Sequence, residues 1–154
     1  MTIERTNVED LPEILELQYL AYQSEGDNLN NYQIQPLTQT LEEMTQEFHN
    51  GAFYKAIDEN GSIIGSVRGK VNNGTLYVAK LMVHPDLRGK GIGTSLLHHI
   101  EEEYPCLRKE LFTSALSESN IRIYEKNGYT RFMTGTSQGG IDMVYLQKNI
   151  EIYN

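Results

Sequence analysis

"LYVAKLMVHPDLRGKGIGTSLLHHIEEEY", residues Leu76 to Tyr104, decides the fold. Its first eight residues, up to Val83, are nearly all apolar, which predicts a buried strand. Glycines then recur at every second position, Gly89, Gly91 and Gly93, with Arg88 and Lys90 beside them. After the glycines, Ile92, Leu96, Leu97, Ile100 and Tyr104 fall on one helical face, and Pro105 closes the helix. Glycine inside a helix or strand costs about 0.5–1 kcal/mol relative to alanine, so such a cluster marks a place where the main chain must approach something closely. At a strand-to-helix turn the backbone N–H groups converge on one spot, and the helix dipole adds about half a positive charge there. The turn reads as an anion cradle, with phosphate as its nearest candidate and Arg88 and Lys90 as further charge. Two common phosphate signatures fail on spacing. G-x-x-x-x-G-K-[ST] needs a lysine where Thr94 stands, and G-x-G-x-x-G needs a glycine at Thr94 or Leu96.

Working outward, "AFYKAID", "SIIGSVRGKV" and "TLYVAKLMV" form three strands joined through "ENG" and "NNG", both containing the Asn-Gly pair of tight hairpins. Upstream, "TIERT" is a short strand. "VEDLPEILELQYLAYQ" is a helix with Leu11, Ile14, Leu15 and Tyr22 on one stripe and Pro12 in its first turn. "SEGDNLNNYQIQP" is polar and irregular, and "LTQTLEEMTQEFHNG" is a second helix carrying Leu37, Leu41, Met44 and Phe48. Downstream, "KELFTSAL" is a strand and "SESNIRIYEKNG" a helix capped by Ser117 or Ser119 and ended by Gly128. Two last strands, "YTRFM" and "IDMVYLQK", flank the turn "GTSQGG". The order β-α-α-β-β-β-α-β-α-β-β implies a mixed sheet with helices on its faces.

The 154 residues suit one domain, read as 1–154, with no repeat, low-complexity tract or dividing linker. With 13 Lys and Arg against 21 Asp and Glu, the net charge of −8 argues against a nucleic-acid binder that works by phosphate neutralisation. It suits solubility or attraction of a cation. The charged start "MTIERTNVED" and the absence of a long apolar run predict a cytoplasmic protein without a membrane span. Cys106 stands alone, so neither an intrachain disulfide nor a thiolate metal cluster is available. Adjacent His98 and His99 face different sides of a helix and make a poor metal pair, and no metal is expected.

"LMVHPDLRGKGIGTSLL" is similar to the R-x-x-G-x-G loop of the GNAT superfamily of acetyl-CoA-dependent N-acetyltransferases, and "SESNIRIYEKNGYTRF" resembles that family's second signature. The resemblance implies a three-layer α/β (α+β mixed) fold, its central sheet mostly antiparallel with about seven strands and about four flanking helices. It implies acetyl-CoA as co-substrate, with main-chain groups of Leu81, Met82 and Val83 pairing with pantetheine and the loop Arg88, Gly89, Lys90, Gly91, Ile92, Gly93 with Thr94 holding the pyrophosphate. By the same resemblance Asn120 hydrogen-bonds pantetheine, Tyr124 places its phenol near the thioester sulfur, and the Val83 N–H faces the oxyanion. Read from the residues alone, the alternatives are that Asn120 bonds its own helix start and that Tyr124 is core.

In such a reaction an amine attacks the acetyl carbonyl and expels a thiolate. A thiol pKa near 8.5 against a tyrosine near 10 makes full proton transfer uphill by about 2 kcal/mol, so a hydrogen bond to the leaving sulfur is the smaller demand. An alkyl amine of pKa near 10.4 is only about one part in 10³ neutral at pH 7, so a base is needed. Where family members often place a glutamate on the fourth or fifth strand, this chain has Tyr77 or Ala79, and Ala115. A water chain ending at Glu25, Asp27 or a tyrosine is the substitute, and Glu25, Asp27 and Tyr77 are the candidate acceptor-binding residues. The expectation is direct attack on acetyl-CoA by a primary amine in a ternary complex, with a small cationic amine or basic peptide end favoured and room for a homodimer. The alternatives are a protein acetyltransferase acting on lysine or an N-terminus, a non-catalytic acyl-CoA-binding protein, and a ping-pong enzyme using Cys106.

Overall fold

The structure, a computed structural model, describes residues 1–105, 107–137 and 139–149; Cys106 lies outside them. Seven strands form one sheet: β1 (Thr2–Arg5), β2 (Ala52–Ile57), β3 (Ile63–Asn72), β4 (Thr75–Val83), β5 (Arg108–Ser114), β6 (Thr130–Thr136) and β7 (Asp142–Lys148). Their order is β1-β2-β3-β4-β5-β7-β6, and every pairing is antiparallel except β4 with β5. This is the mixed sheet implied by a meander followed by a strand–helix–strand crossover. The helices are α1 (Leu11–Ala21), α2 (Gln23–Leu29), α3 (Gln35–Thr38), α4 (Leu41–His49), α5 (Ile92–Glu103) and α6 (Glu118–Lys126), with short 3-10 turns at Val8–Asp10 and Pro85–Leu87.

Two buried layers hold the sheet. On one face, Leu11, Ile14 and Leu17 of α1 and Met44 of α4 pack on Phe53, Ile63 and Met82. In the other cluster, Leu96, Leu97 and Ile100 of α5 and Ile121 and Tyr124 of α6 meet Val67, Leu76, Val78 and Leu146. The helices α1, α5 and α6 thus bury the apolar stripes their spacing announces, which is the main favourable term for a fold of this kind.

Four local expectations need correction. The segment read as irregular forms α2, because Gly26 lets the helix lie against Tyr32 and Leu37, where a Cβ would come within 2.8 and 2.9 Å of those side chains. Asn30, at φ 49, ends it. The stripe from Leu37 to Phe48 is two helices. Gln39 leaves the helical region, Thr40 caps α4 by accepting the Glu43 N–H, and the Glu43 carboxylate accepts the Thr40 N–H, which leaves Leu41 exposed. Of the two Asn-Gly turns, only Asn73 (φ 49) and Gly74 (φ 78) form the two-residue hairpin with both residues left-handed. At the other, only Gly61 has positive φ, and the Asp58 carboxylate accepts the N–H groups of Asn60 and Ser62. Finally, Gly135 and Thr136 belong to β6 rather than to the turn after it.

Candidate active site

β4 and β5 are in register only from Thr75 to Tyr77 against Arg108 to Glu110, although β4 runs on to Val83 and β5 to Ser114. Beyond Tyr77 the two strands part and leave a β4 edge inside the sheet. On its other side β4 pairs with β3, where Val83 is opposite Gly65, Met82 opposite Ser66, and the His84 N–H reaches the Ile64 carbonyl at 2.8 Å. Antiparallel alternation therefore commits the Met82 main chain to β3 and turns the N–H and C=O of Leu81 and Val83 toward the open side. Buried backbone groups need partners, so this edge is a place for an extended ligand. Of the three β4 residues expected to pair with pantetheine, Leu81 and Val83 have groups free to do so.

The open edge runs into the glycine turn. Gly89 (φ 80) and Gly91 (φ 83) take left-handed conformations, and α5 starts at Ile92. The Ser95 N–H makes the first bond back, to the Gly91 carbonyl at 3.0 Å, so the N–H groups of Ile92, Gly93 and Thr94 stand ahead of it at the helix end. Gly93 sits close to the strand end, with a Cβ there meeting Val83 Cγ2 at 3.6 Å. Lys90 is exposed. Arg88 is not lent to the cradle: its guanidinium donates to the Ala21 carbonyl at 2.8 Å and to Ser24 Oγ at 3.4 Å, tying the turn to the end of α1.

At the mouth of the split, Tyr22, Glu25, Lys80, Ser117 and Tyr124 come together. Ser117 Oγ, at the start of α6, donates to Glu25 Oε1 at 3.2 Å. Burial raises the Glu25 carboxyl above its ordinary value, against the Ser117 hydrogen bond and the Lys80 charge. Burial, and then Glu25, also push the Tyr124 hydroxyl well above its usual range. Tyr22 is shifted the same way by burial, Tyr124 and Glu25. Both phenols are therefore donors at any ordinary pH. Lys80 sits in a β-bulge of β4, between its pairings at Ala79 and Met82, with φ 52. Its ammonium is lowered to about 8 by burial and by Arg68. Beneath lies a polar network in which buried Arg68 donates to Glu47 and Gln18 at 2.7 Å each and stacks on Phe53.

The remaining candidates are dispersed. Asn120 is exposed on the first turn of α6, and among the described residues its carboxamide makes no hydrogen bond, so the self-capping alternative is not the one adopted. Asp27 is exposed and accepts from the Tyr32 hydroxyl. Tyr77 is exposed beside Glu110, at the closed end of the split and away from Val83. Ala115 lines a hollow of about 300 Å³ with Leu29, Asn31, Ser114 and Asp142, next to Ser117. Sequence reading missed Lys80, Tyr22 and Ser117 as site residues. Lys80 alone had a visible signal, as the one charge in an otherwise apolar strand.

The site is thus a sheet split beside a glycine turn, with a phenol and a carboxylate at its mouth. The chain belongs to the acetyltransferase (GNAT) family, whose profile matches residues 11–129. UPF0157 protein YqkA of Bacillus subtilis (strain 168) is 26% identical over 145 residues, 91% of this chain and 41% of that protein. An acetyltransferase of Pectobacterium atrosepticum is 31% identical over 84 residues, 53% of this chain and 60% of that protein. The chain thus spans about two fifths to three fifths of the length of these relatives. In fold it is similar to the PaiA N-acetyltransferase of Thermoplasma acidophilum in complex with coenzyme A, with a TM-score of 0.74 and 18% identity over 97% of this chain and 99% of that one. Among the described residues no helix is long and apolar enough to cross a membrane.

Proposed function

We propose that this chain is a cytoplasmic N-acetyltransferase that moves the acetyl group of acetyl-CoA to a primary amine by direct attack in a ternary complex. The observation that carries the reading is the unpaired β4 edge, which ends at the N-terminus of α5 with Tyr124 and Glu25 across from it. The open groups of Leu81 and Val83 fit the amides of pantetheine. The turn Gly89–Thr94 fits a pyrophosphate, its N–H groups supplying the positive end of the helix. Asn120, whose carboxamide makes no hydrogen bond among the described residues, is the further partner for the pantetheine arm.

Glu25 takes the proton from the acceptor ammonium, and its raised carboxyl makes that transfer less uphill than an ordinary carboxylate would. The amine lone pair then forms the C–N bond at the acetyl carbon, while the Val83 N–H faces the developing oxyanion. As the C–S bond breaks, the sulfur leaves with the electron pair, and the Tyr124 hydroxyl donates a hydrogen bond to it. The remaining extra proton on the new amide nitrogen passes through water to the departing thiolate, which leaves as the thiol. Tyr124 keeps its proton, because its raised pKa makes full transfer to a thiolate still less favourable than for a free phenol. No acetyl-enzyme is required, so Cys106 has no part. The net charge of −8, with Glu25 at the site and Asp142 at the hollow, supports attraction of an ammonium group.

The test is thermal melting with and without acetyl-CoA, followed by thiol release with a panel of amines. Ligand at 100 times its Kd contributes about 2.7 kcal/mol, a rise in Tm of roughly 5–10 °C for a chain of this size. No shift at millimolar acetyl-CoA would reject the assignment.

A further inference from the structure

Lys80 is the polar group the reaction above leaves unused. It interrupts an apolar strand, and its φ of 52 is a left-handed conformation that non-glycine residues rarely adopt. It stands in the bulge where Val67 of β3 has two residues of β4 to oppose, and bulges of this kind re-aim a side chain. The side chain is half-buried. Around it are Glu25 on α2, Glu47 on α4 and Arg68 on β3. Yet among the described residues its ammonium makes no hydrogen bond and no ion pair. Glu47 is already committed, at 2.7 Å to Arg68 and 2.9 Å to Gln39, and Glu25 to Ser117. The ammonium is half-buried, reaches solvent and has no protein partner among the described residues, so it is open to an anionic ligand. The bulge holds this positive charge within electrostatic reach of the carboxylate that receives the acceptor amine.

We propose that Lys80 binds a carboxylate of the acceptor while Glu25 faces its ammonium, so that the acceptor is an amino acid or a similar amine bearing a carboxylate. The inference rests on the acetyltransfer reading and narrows its acceptor. It also revises the preference drawn from net charge. The field of −8 is spread over the surface and screened within about 10 Å at 0.1 M salt, whereas the site itself matches two carboxylates, Glu25 and Glu47, with two cations, Lys80 and Arg68. A local reading of plus beside minus selects a zwitterion over a bare cation.

The test compares kcat/KM for L-amino acids, their methyl esters and the matching amines without the carboxyl group, with acetyl-CoA binding followed by calorimetry on the same samples. Free acids are expected to exceed their esters by tenfold or more. Lys80→Met should bring that ratio near one, chiefly through KM for the acid, and Lys80→Arg should restore part of it. Retained acetyl-CoA binding shows that each variant is folded, and Lys80→Gln serves if the methionine variant is not. Esters or plain amines that equal the acids in the unmodified protein would overturn the proposal. So would an acid preference that survives Lys80→Met, or transfer to no amino acid by a protein that binds acetyl-CoA. Failure to bind acetyl-CoA at all would instead remove the acetyltransfer reading on which this one stands.

Discussion

Gly93 separates the two demands that its turn makes on glycine. Gly89 and Gly91 are needed for their positive φ, so any side chain there strains the free protein. Gly93 lies in α5, and a Cβ would meet only Val83 Cγ2 at an ordinary 3.6 Å. Gly93→Ala should therefore leave the free protein as stable or up to about 1 kcal/mol more stable, by helix propensity. If a pyrophosphate rests on this helix end, the same methyl intrudes on it, and acetyl-CoA affinity should fall by tenfold or more. Calorimetry beside thermal melting separates the outcomes, and unchanged affinity would mean that nothing approaches the backbone there. Tyr124 permits a similar separation. Its hydroxyl matters most when charge develops on sulfur, so Tyr124→Phe should lower kcat by about 10²–10⁴ with acetyl-CoA binding kept. A phenylalanine variant with full turnover would make Tyr124 a core residue only, packed on Tyr129.

At the scale of elements, α2 is what brings Glu25, the proposed base, to the site. The helix is short, follows α1 after a bend at Tyr22, and is closed by Asn30, so Glu25 reaches Ser117 on α6 across the mouth of the split. Arg88, bonded to Ala21 and Ser24, fixes this corner to the glycine turn. The carboxyl of Glu25 is held above its ordinary value chiefly by burial. Acting as a base it must be ionised, so kcat should be lost as pH falls through a value above the usual carboxylate range. Glu25→Gln should lower kcat by about 10²–10⁴ and flatten that acid limb. A pH–rate profile of the ternary complex checks both. An acid limb that persists in the glutamine variant would assign the base elsewhere.

For the molecule as a whole, Lys80 opposes stability. Its pKa is lowered from 10.5 to about 8 by burial first and Arg68 second. The unfolded chain therefore binds more protons between these values, and stability rises with pH across that window. Below about pH 8 the penalty is fully present, and above about 10.5 it is gone. The shift corresponds to about 3 kcal/mol at most, and partial solvent access reduces it. Lys80→Met is expected to raise Tm by about 2–6 °C at pH 7, with the gain shrinking toward pH 10. Melting curves of both proteins over that range test it. A methionine variant less stable at pH 7 would mean that Lys80 has a partner in the free protein.

How much of this was legible in the chain follows from the range of the forces involved. Strand and helix identities were readable because hydrophobic spacing is local: α1, α5 and α6 bury the stripes their periods mark, and the Asn73–Gly74 hairpin takes the form its dipeptide favours. The glycine turn was readable for the same reason, since strand, turn and helix start are consecutive. By contrast, α2 depended on Gly26 receiving Tyr32 and Leu37, and the break at Gln39 on a side chain drawn into the Arg68 network. The site itself lay furthest from reach. Glu25 and Ser117 are 92 residues apart, Arg88 and Ala21 are 67, and Lys80 faces helices from another part of the chain. The sequence by itself determined the strands, the helices α1, α5 and α6, the glycine turn and the family. Only the tertiary structure decided which charges meet, because burial and Coulomb interaction depend on distances in space, which spacing along the chain does not encode.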